Sequence, residues 1–236
     1  MQHQIMGYDR TSAIFSPDGH LLQVEYAEKT VKLGSSSIGM VAADGVLVLA
    51  DKRIKDKLMI PESSAKIHEV DSHIAATAAG ILSDARILTE KAQLSAQQHR
   101  LTYDSPVNTE SLVKEIADIK QNFTQYGGAR PFGISMMVAG VDKDGARNLF
   151  ATDVTGNYFG FTATAIGEND DKMKEILRKE YKESMSIEEG LRFGLSIFRR
   201  IMGKNFDLSR FEAAYVNTKD KTFRRLSGND LKKYLK

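Results

Sequence analysis

The chain has 236 residues, 42% hydrophobic and 27% charged, a length for one large domain or two small ones and a balance that excludes intrinsic disorder. The 33 Lys+Arg against 31 Asp+Glu leave a formal charge of +2, which gives no footprint for a dedicated nucleic-acid surface; the basic pairs Arg224–Arg225 and Lys232–Lys233 read as a solvated face. The absence of cysteine excludes disulfides, thiol chemistry and thiolate metal sites and is compatible with a reducing cytoplasm, and no apolar run approaches the roughly 20 residues that cross a bilayer.

Met1–Met6 lacks the basic-then-apolar pattern of a signal peptide, and residues 1–19 are polar. Ser16-Pro17-Asp18-Gly19 is a turn, with Pro at its second position and Gly at its end. A short helix is predicted over 20–33, with Leu21, Val24 and Val31 on one face and Gly34 as its stop. Strands are predicted over 36–43 and 46–50, the second a continuous apolar run of the kind covered on both faces, then over 67–70 and 74–79. Helices follow over 82–100, with Ala85, Leu88 and Ala92 on one face, and over 109–126, with Leu112, Ile116, Ile119 and Phe123 at helical spacing. Strands are predicted over 134–141, 149–153 and 158–166. Helices follow over 170–181, carrying Met173, Ile176, Leu177 and Tyr181, and over 187–202, opened by the capping box Ser186-Ile187-Glu188-Glu189. Gly190 and Gly194 lie one turn apart and suit a close helix–sheet contact. Strands near 213–218 and 222–226 and a terminal basic helix complete the chain. No linker or low-complexity stretch divides it, and the four prolines, at 17, 61, 106 and 131, suit turns. Helix pairs between runs of strands imply an α+β fold: two stacked sheets with a helix pair outside each, a four-layer αββα sandwich. Within this single domain, residues 1–34 form an N-terminal tail and helix, and 35–236 the sandwich.

Three segments carry a family resemblance. Tyr8-Asp9-Arg10, followed by Phe15-Ser16-Pro17-Asp18-Gly19-His20-Leu21-Leu22-Gln23-Val24-Glu25-Tyr26-Ala27, resembles the N-terminal signature of proteasome α subunits. Gly127-Gly128-Ala129-Arg130-Pro131-Phe132-Gly133 is similar to the family's turn after its second long helix, and Ser83-Asp84-Ala85-Arg86 to the start of its first. The resemblance spans about residues 7–226, and the spacing around the first motif is close to that of archaeal members. His20 and Glu28 depart from it, standing where the family usually has arginine.

The resemblance implies the N-terminal-nucleophile hydrolase fold. It also implies a non-catalytic outer-ring subunit of the 20S core particle in the cytoplasm, in a heptameric α ring stacked on catalytic β subunits. Such a ring gates the passage of unfolded protein substrates, templates the β rings and docks an ATPase activator through the activator's C-terminal tails. By the same resemblance Tyr8, Asp9, Pro17 and Tyr26 hold the gating tails open, with Arg10 at a neighbouring subunit. Lys66 beside Gly34 receives an activator's C-terminal carboxylate, as a compact ammonium suits. Tyr126-Gly127-Gly128-Ala129 narrows the pore inside the ring. No cofactor, nucleic acid or membrane is implied.

Two alternatives come from other classes. The fold's chemistry uses a Thr, Ser or Cys freed as residue 1, whose α-amine is the general base. Alignment with β subunits puts Ser35 at the nucleophile, with Asp51, Arg53 and Lys66 at supporting positions, and Gly34-Ser35 resembles a processing junction. Against an active peptidase, the residues before Ser35 hold the most specific motif of the chain, and an uncleaved Ser35 nitrogen is an amide that cannot take the proton. The other alternative is an α-type ring that serves as a scaffold without β partners. The five histidines show no metal-ligand spacing, and no Walker-type phosphate loop is present.

Overall fold

A computed structural model describes residues 7–8, 10–11, 13–53 and 58–235. The elements are α1 (Leu22–Leu33), β1 (Ser37–Ala42), β2 (Gly45–Asp51), β3 (Ile67–Asp71), β4 (Ile74–Gly80), α2 (Leu82–Tyr103), α3 (Thr109–Gln125), β5 (Ile134–Val141), β6 (Arg147–Thr152), β7 (Tyr158–Gly160), β8 (Ala163–Ile166), α4 (Asp170–Glu180), α5 (Ile187–Met202), β9 (Phe211–Asn217) and β10 (Phe223–Leu226). The strands form two five-stranded antiparallel sheets, β10-β9-β2-β1-β8 and β3-β4-β5-β6-β7.

Three buried clusters define the layers. Leu47 and Leu49 of β2 pack under Leu191, Leu195 and Phe198 of α5 and Met173 of α4. The alternate residues Val46, Val48 and Ala50 face Ala75, Met137 and Ala139 of the opposite sheet. Beyond that sheet Ile74, Met136 and Val138 meet Leu88 of α2 and Leu112 and Ile116 of α3. Side chains alternate along a strand, so β2 feeds two cores at once, which is why its apolar run is continuous. Each such Val or Leu contributes about 1.5–3 kcal/mol by leaving water. The order of layers is α4/α5, sheet, sheet, α2/α3, the predicted αββα sandwich. A Cβ on Gly190 or Gly194 would press on Leu47 or Leu49, so the two glycines let α5 lie close on its sheet. The predicted capping box is formed at Ser186 and Glu189.

Five points of the structure bear on the sequence reading. First, α1 starts at Leu22, because His20 is spent in the preceding turn: Gly19 N–H donates to Ser16 O at 2.8 Å and His20 N–H to Ser16 Oγ at 3.1 Å. Second, Gly34 ends α1 as expected, in extended backbone (φ −69°, ψ 149°); glycine is needed there because a Cβ would overlap the Gly80 amide. Third, the strand predicted over 158–166 is two strands in different sheets. Its connector joins both, with Phe161 N–H donating to Leu149 O and Val41 N–H to Thr162 O, each at 2.8 Å. Fourth, the buried stripe of α3 runs through Leu112, Val113, Ile116, Ala117 and Lys120, while Phe123 is exposed and lies against Phe132, ring centroids 4.7 Å apart. Fifth, the terminal helix is a 3-10 turn over Asp230–Tyr234 whose Leu231 and Tyr234 are buried in the α5 core; Arg225 is exposed, as expected, and its guanidinium donates to Ile67 O at 2.5 Å.

Candidate functional site

α1 lies outside the sandwich but is tied into it. Val24 and Ala27 pack on Val154. Thr30 Oγ1 donates to Gly133 O at 2.9 Å, and Lys32 Nζ to Asp170 at 2.5 Å. The helical end of the N-terminal signature is therefore part of the folded domain. No side chain caps α1; the His20 ring lies 2.5 Å from Glu25 Oε1 and links the Ser16–His20 turn to the first turn of the helix. Tyr8, Arg10, Pro17 and Tyr26 are exposed, and among the described residues no hydrogen bond or ring contact joins Tyr8, Pro17 and Tyr26; Lys29 Nζ stands 5.4 Å from the Tyr26 ring centre. Asp9 lies outside the described residues.

Immediately after α1 the chain enters a dense polar cluster at the ends of β1, β2, β3 and β9. Lys66 is 6% exposed, and its ammonium donates to the carbonyls of Ser35 and Ser36, the latter at 3.2 Å. Burial pushes it down to about 7; the Arg53 guanidinium lowers it too, while Asp51 and Glu212 pull the other way. Lys66 is thus no solvated loop lysine. Asp51 is gripped by Arg210 through Nε at 3.1 Å and a terminal nitrogen at 2.6 Å, and also accepts the Arg53 N–H at 2.9 Å. Arg53 pairs with Glu168 and donates to Leu33 O at 3.2 Å. Glu212 accepts the N–H groups of Lys66 and, at 2.7 Å, Ile67. Ser35, Asp51, Arg53 and Lys66 are all in this cluster, together with Arg210, Glu212 and Glu168, which sequence reading missed because they lie more than a hundred residues away and have no local signature. In the unbroken chain the Ser35 nitrogen is a peptide amide. Leu33 and Leu82, which flank the Gly34–Gly80 contact in the chain, are 74% and 72% exposed.

The segment after α3 forms the third part. Ala129 N–H donates to Tyr126 O at 3.3 Å, closing a turn in which Gly128 adopts φ +86°, the conformation for which glycine is suited. Tyr126, Gly127 and Gly128 are exposed. Arg130, just beyond, pairs with Asp84 at the start of α2, so two of the segments singled out in the sequence are in contact. Among the described residues no group of three or more His, Asp or Glu is placed to hold a metal, and no helix is long and apolar enough to cross a membrane.

A two-sheet αββα sandwich with a Ser-Asp-Lys cluster at one end of its strands is an N-terminal-nucleophile hydrolase architecture, here with its candidate nucleophile inside the chain. The family model described as "Proteasome subunit" matches residues 31–216, and the model of the N-terminal signature of the proteasome's α-type subunits matches 8–29. The chain is similar to the proteasome α subunit of Archaeoglobus fulgidus, 41% identical over 98% of this chain and 93% of the relative. It is also similar to those of Methanosarcina barkeri, 42% over 98% and 92%, and Pyrococcus horikoshii, 43% over 97% and 87%. The chain belongs to the proteasome subunit family and is of its α type.

Proposed function

We propose that the chain is a non-catalytic outer-ring α subunit of a 20S proteasome core. It assembles in a heptameric ring with copies of itself or α-type paralogues, and templates rings of catalytic β subunits. It gates the passage of unfolded proteins and docks an ATPase activator; the work is cytoplasmic and needs no cofactor. The observation that carries the reading is that α1 and its signature are packed into the fold through Val24, Ala27, Thr30 and Lys32. A segment so integrated is not a disposable leader. While it stays attached, Ser35 has no free amine to act as base.

Exposure of Tyr8, Arg10, Pro17 and Tyr26 supports their use between subunits: tyrosine offers an apolar plate with a hydrogen-bonding tip that a neighbouring copy can cover. For Lys66 the support is its surroundings. Its ammonium is costly to keep charged, an arriving carboxylate would offset that cost, and exposed Leu33 and Leu82 offer an apolar rim near Gly34. The turn Tyr126–Ala129 is suited to narrow a pore because its tip is free of packing partners at Gly127 and Gly128.

Co-expression with a proteasome β subunit tests the reading by native mass spectrometry. The expected particle contains both subunits, with this chain retaining the residues before Ser35. Deleting residues 2–10 is expected to speed hydrolysis of small peptides by the particle, because in the gating reading this polar segment closes the pore. A ring of this chain alone would favour the scaffold reading, and unchanged hydrolysis after truncation would count against gating.

A further inference from the structure

Helix α1, which continues the N-terminal signature, and the other two marked segments converge on one glycine. Gly133 N–H donates to Asp84 Oδ2 at 2.9 Å, and Gly133 O accepts from Thr30 Oγ1 at 2.9 Å and from Ile81 N–H at 3.0 Å. Asp84 is held in turn by both terminal nitrogens of Arg130, each at 2.7 Å, and Arg130 also donates to Pro131 O at 3.0 Å. Burial works against the Asp84 carboxylate, but the Arg130 fork and the Gly133 amide outweigh it and hold its pKa below the usual range. The junction has no slack. A Cβ on Gly133 would sit 2.7 Å from both Ile81 Cδ1 and Thr30 Oγ1, one on Gly80 would overlap Gly133 O, and one on Gly34 would overlap the Gly80 amide. Gly34, Gly80 and Gly133 are thus stacked backbone on backbone. A few residues away the tip of the turn is the opposite: a Cβ on Gly127 or Gly128 would meet nothing within 4 Å.

We propose that Asp84 and Arg130 are positioning residues that clamp the base of the 126–129 turn to the Gly34–Gly80–Gly133 stack, so that this turn and α1 move as one unit. A bidentate guanidinium–carboxylate pair fixes orientation as well as distance, which a single bond does not. Close-packed backbone transmits a displacement because it has no void in which to absorb one. A push on α1 near Gly34 is therefore delivered to the turn. The consequence for substrate passage rests on the gating reading above; the clamp itself does not.

The chain has no cysteine, so engineered ones label it cleanly. Gly127→Cys and Glu28→Cys place spin labels on the turn and on the exposed face of α1, and pulsed EPR on the full chain reads the distance distribution between them. A narrow distribution is expected with the clamp intact. In Arg130→Ala it should broaden about twofold, and in Arg130→Lys less, because one donor replaces a fork. A control pair, Glu28→Cys with Lys172→Cys on α4, should stay narrow in every variant. Equal widths with and without the Arg130 fork would overturn the clamp, as would broadening of both pairs together, the mark of general loosening. Should Arg130→Ala fail to fold, Arg130→Gln, which keeps a hydrogen bond without the charge, carries the same comparison. In tail-deleted particles the ratio of casein to tetrapeptide hydrolysis should change with Arg130→Ala. A broadened turn with an unchanged ratio would leave the clamp standing and count against the pore-narrowing role.

Discussion

Lys66 and Lys120 are the same group under the same penalty in two different settings. They are 6% and 0% exposed, and burial pushes each down to about 7. Lys120, on α3, spends its ammonium on Ile134 O at 2.9 Å and Thr152 Oγ1 at 2.8 Å, two neutral acceptors on the sheet beneath it, and Asp153 is the carboxylate whose field reaches it. Lys66 also rests on carbonyls, but within the fields of Asp51, Arg53 and Glu212. A buried ammonium satisfied by fixed neutral groups bridges a helix to a sheet and does nothing else. One poised among charges responds to a new charge. The comparison separates a structural lysine from a receptive one, and it can be broken at either end.

The largest effect is expected at Lys66. In the assembled particle Lys66→Ala should leave unstimulated peptide hydrolysis unchanged and abolish stimulation by an activator. A lost charge-assisted hydrogen bond is worth roughly 1.5–3 kcal/mol per tail, and avidity multiplies the loss over several tails. Affinity for a C-terminal activator peptide should fall as pH rises above about 7, where unliganded Lys66 gives up its proton. Lys66→Arg should restore part of the affinity and flatten that pH profile, since guanidinium keeps its proton. Normal stimulation of the alanine variant would reduce Lys66 to the same standing as Lys120.

Next in size is the stability linked to both lysines. Each has a folded value near 7 against 10.5 unfolded. Between these values the unfolded chain binds more protons, so stability is full above about 10.5, falls as pH drops toward 7 and changes no further below it. The slope is up to about 1.4 kcal/mol per pH unit for each lysine. Thermal midpoints should rise between pH 7 and pH 9.5. Lys120→Met, apolar and similar in length, should raise the midpoint at pH 6 by the equivalent of roughly 1–3 kcal/mol and lose that advantage by pH 10. Lys120→Ala, which leaves a cavity, should be roughly 2–5 kcal/mol less stable than Lys120→Met at either end of that range. An advantage of Lys120→Met that did not change with pH would show that Lys120 is not carrying a buried charge.

Lys120 also marks what the sequence could and could not show. The strands were legible because apolar runs such as Val46–Ala50 have one physical explanation, burial on two faces. The helices were legible from spacing, and the capping box at Ser186 from residue type alone. At α3 the pattern Leu112, Ile116, Ile119, Phe123 led the eye to the apolar residues, while the stripe that meets the sheet runs on from Ile116 to Lys120. The signal was there in the 3.6-residue period, but residue type outvoted it. The strand over 158–166 was misread because β-propensity does not say which sheet a residue joins. Of the site, Ser35, Asp51, Arg53 and Lys66 were named through the resemblance. Their partners Arg210, Glu212 and Glu168 were not, because pairing across such sequence distances is made by the fold and has no local trace. Asp84 and Arg130 were both in view, in separate segments, and only the structure brings them together.

The smallest effect is expected at Ser35. If the cluster around Lys66 were catalytic, Ser35→Ala would remove the nucleophile and all peptide hydrolysis attributable to this chain. In the structure the chain runs through Gly34 into Ser35, Lys66 and Ser36 are occupied with backbone carbonyls, and Asp51 is held by Arg210. The carboxylate that would assist a nucleophile is therefore paired elsewhere, and the amine that would serve as base is an amide without a free lone pair. Ser35 is also partly buried beside the Lys66 ammonium, which contacts its carbonyl and leaves its hydroxyl out of the interaction. Ser35→Ala should therefore change neither the hydrolysis by the assembled particle nor the mass of the subunit beyond the one oxygen removed, and should move the thermal midpoint by less than the equivalent of about 0.5 kcal/mol, as for a substitution that breaks no bond. A subunit whose mature N-terminus is Ser35, with hydrolysis lost in the alanine variant, would make the Lys66 cluster an active site and reverse the comparison with Lys120.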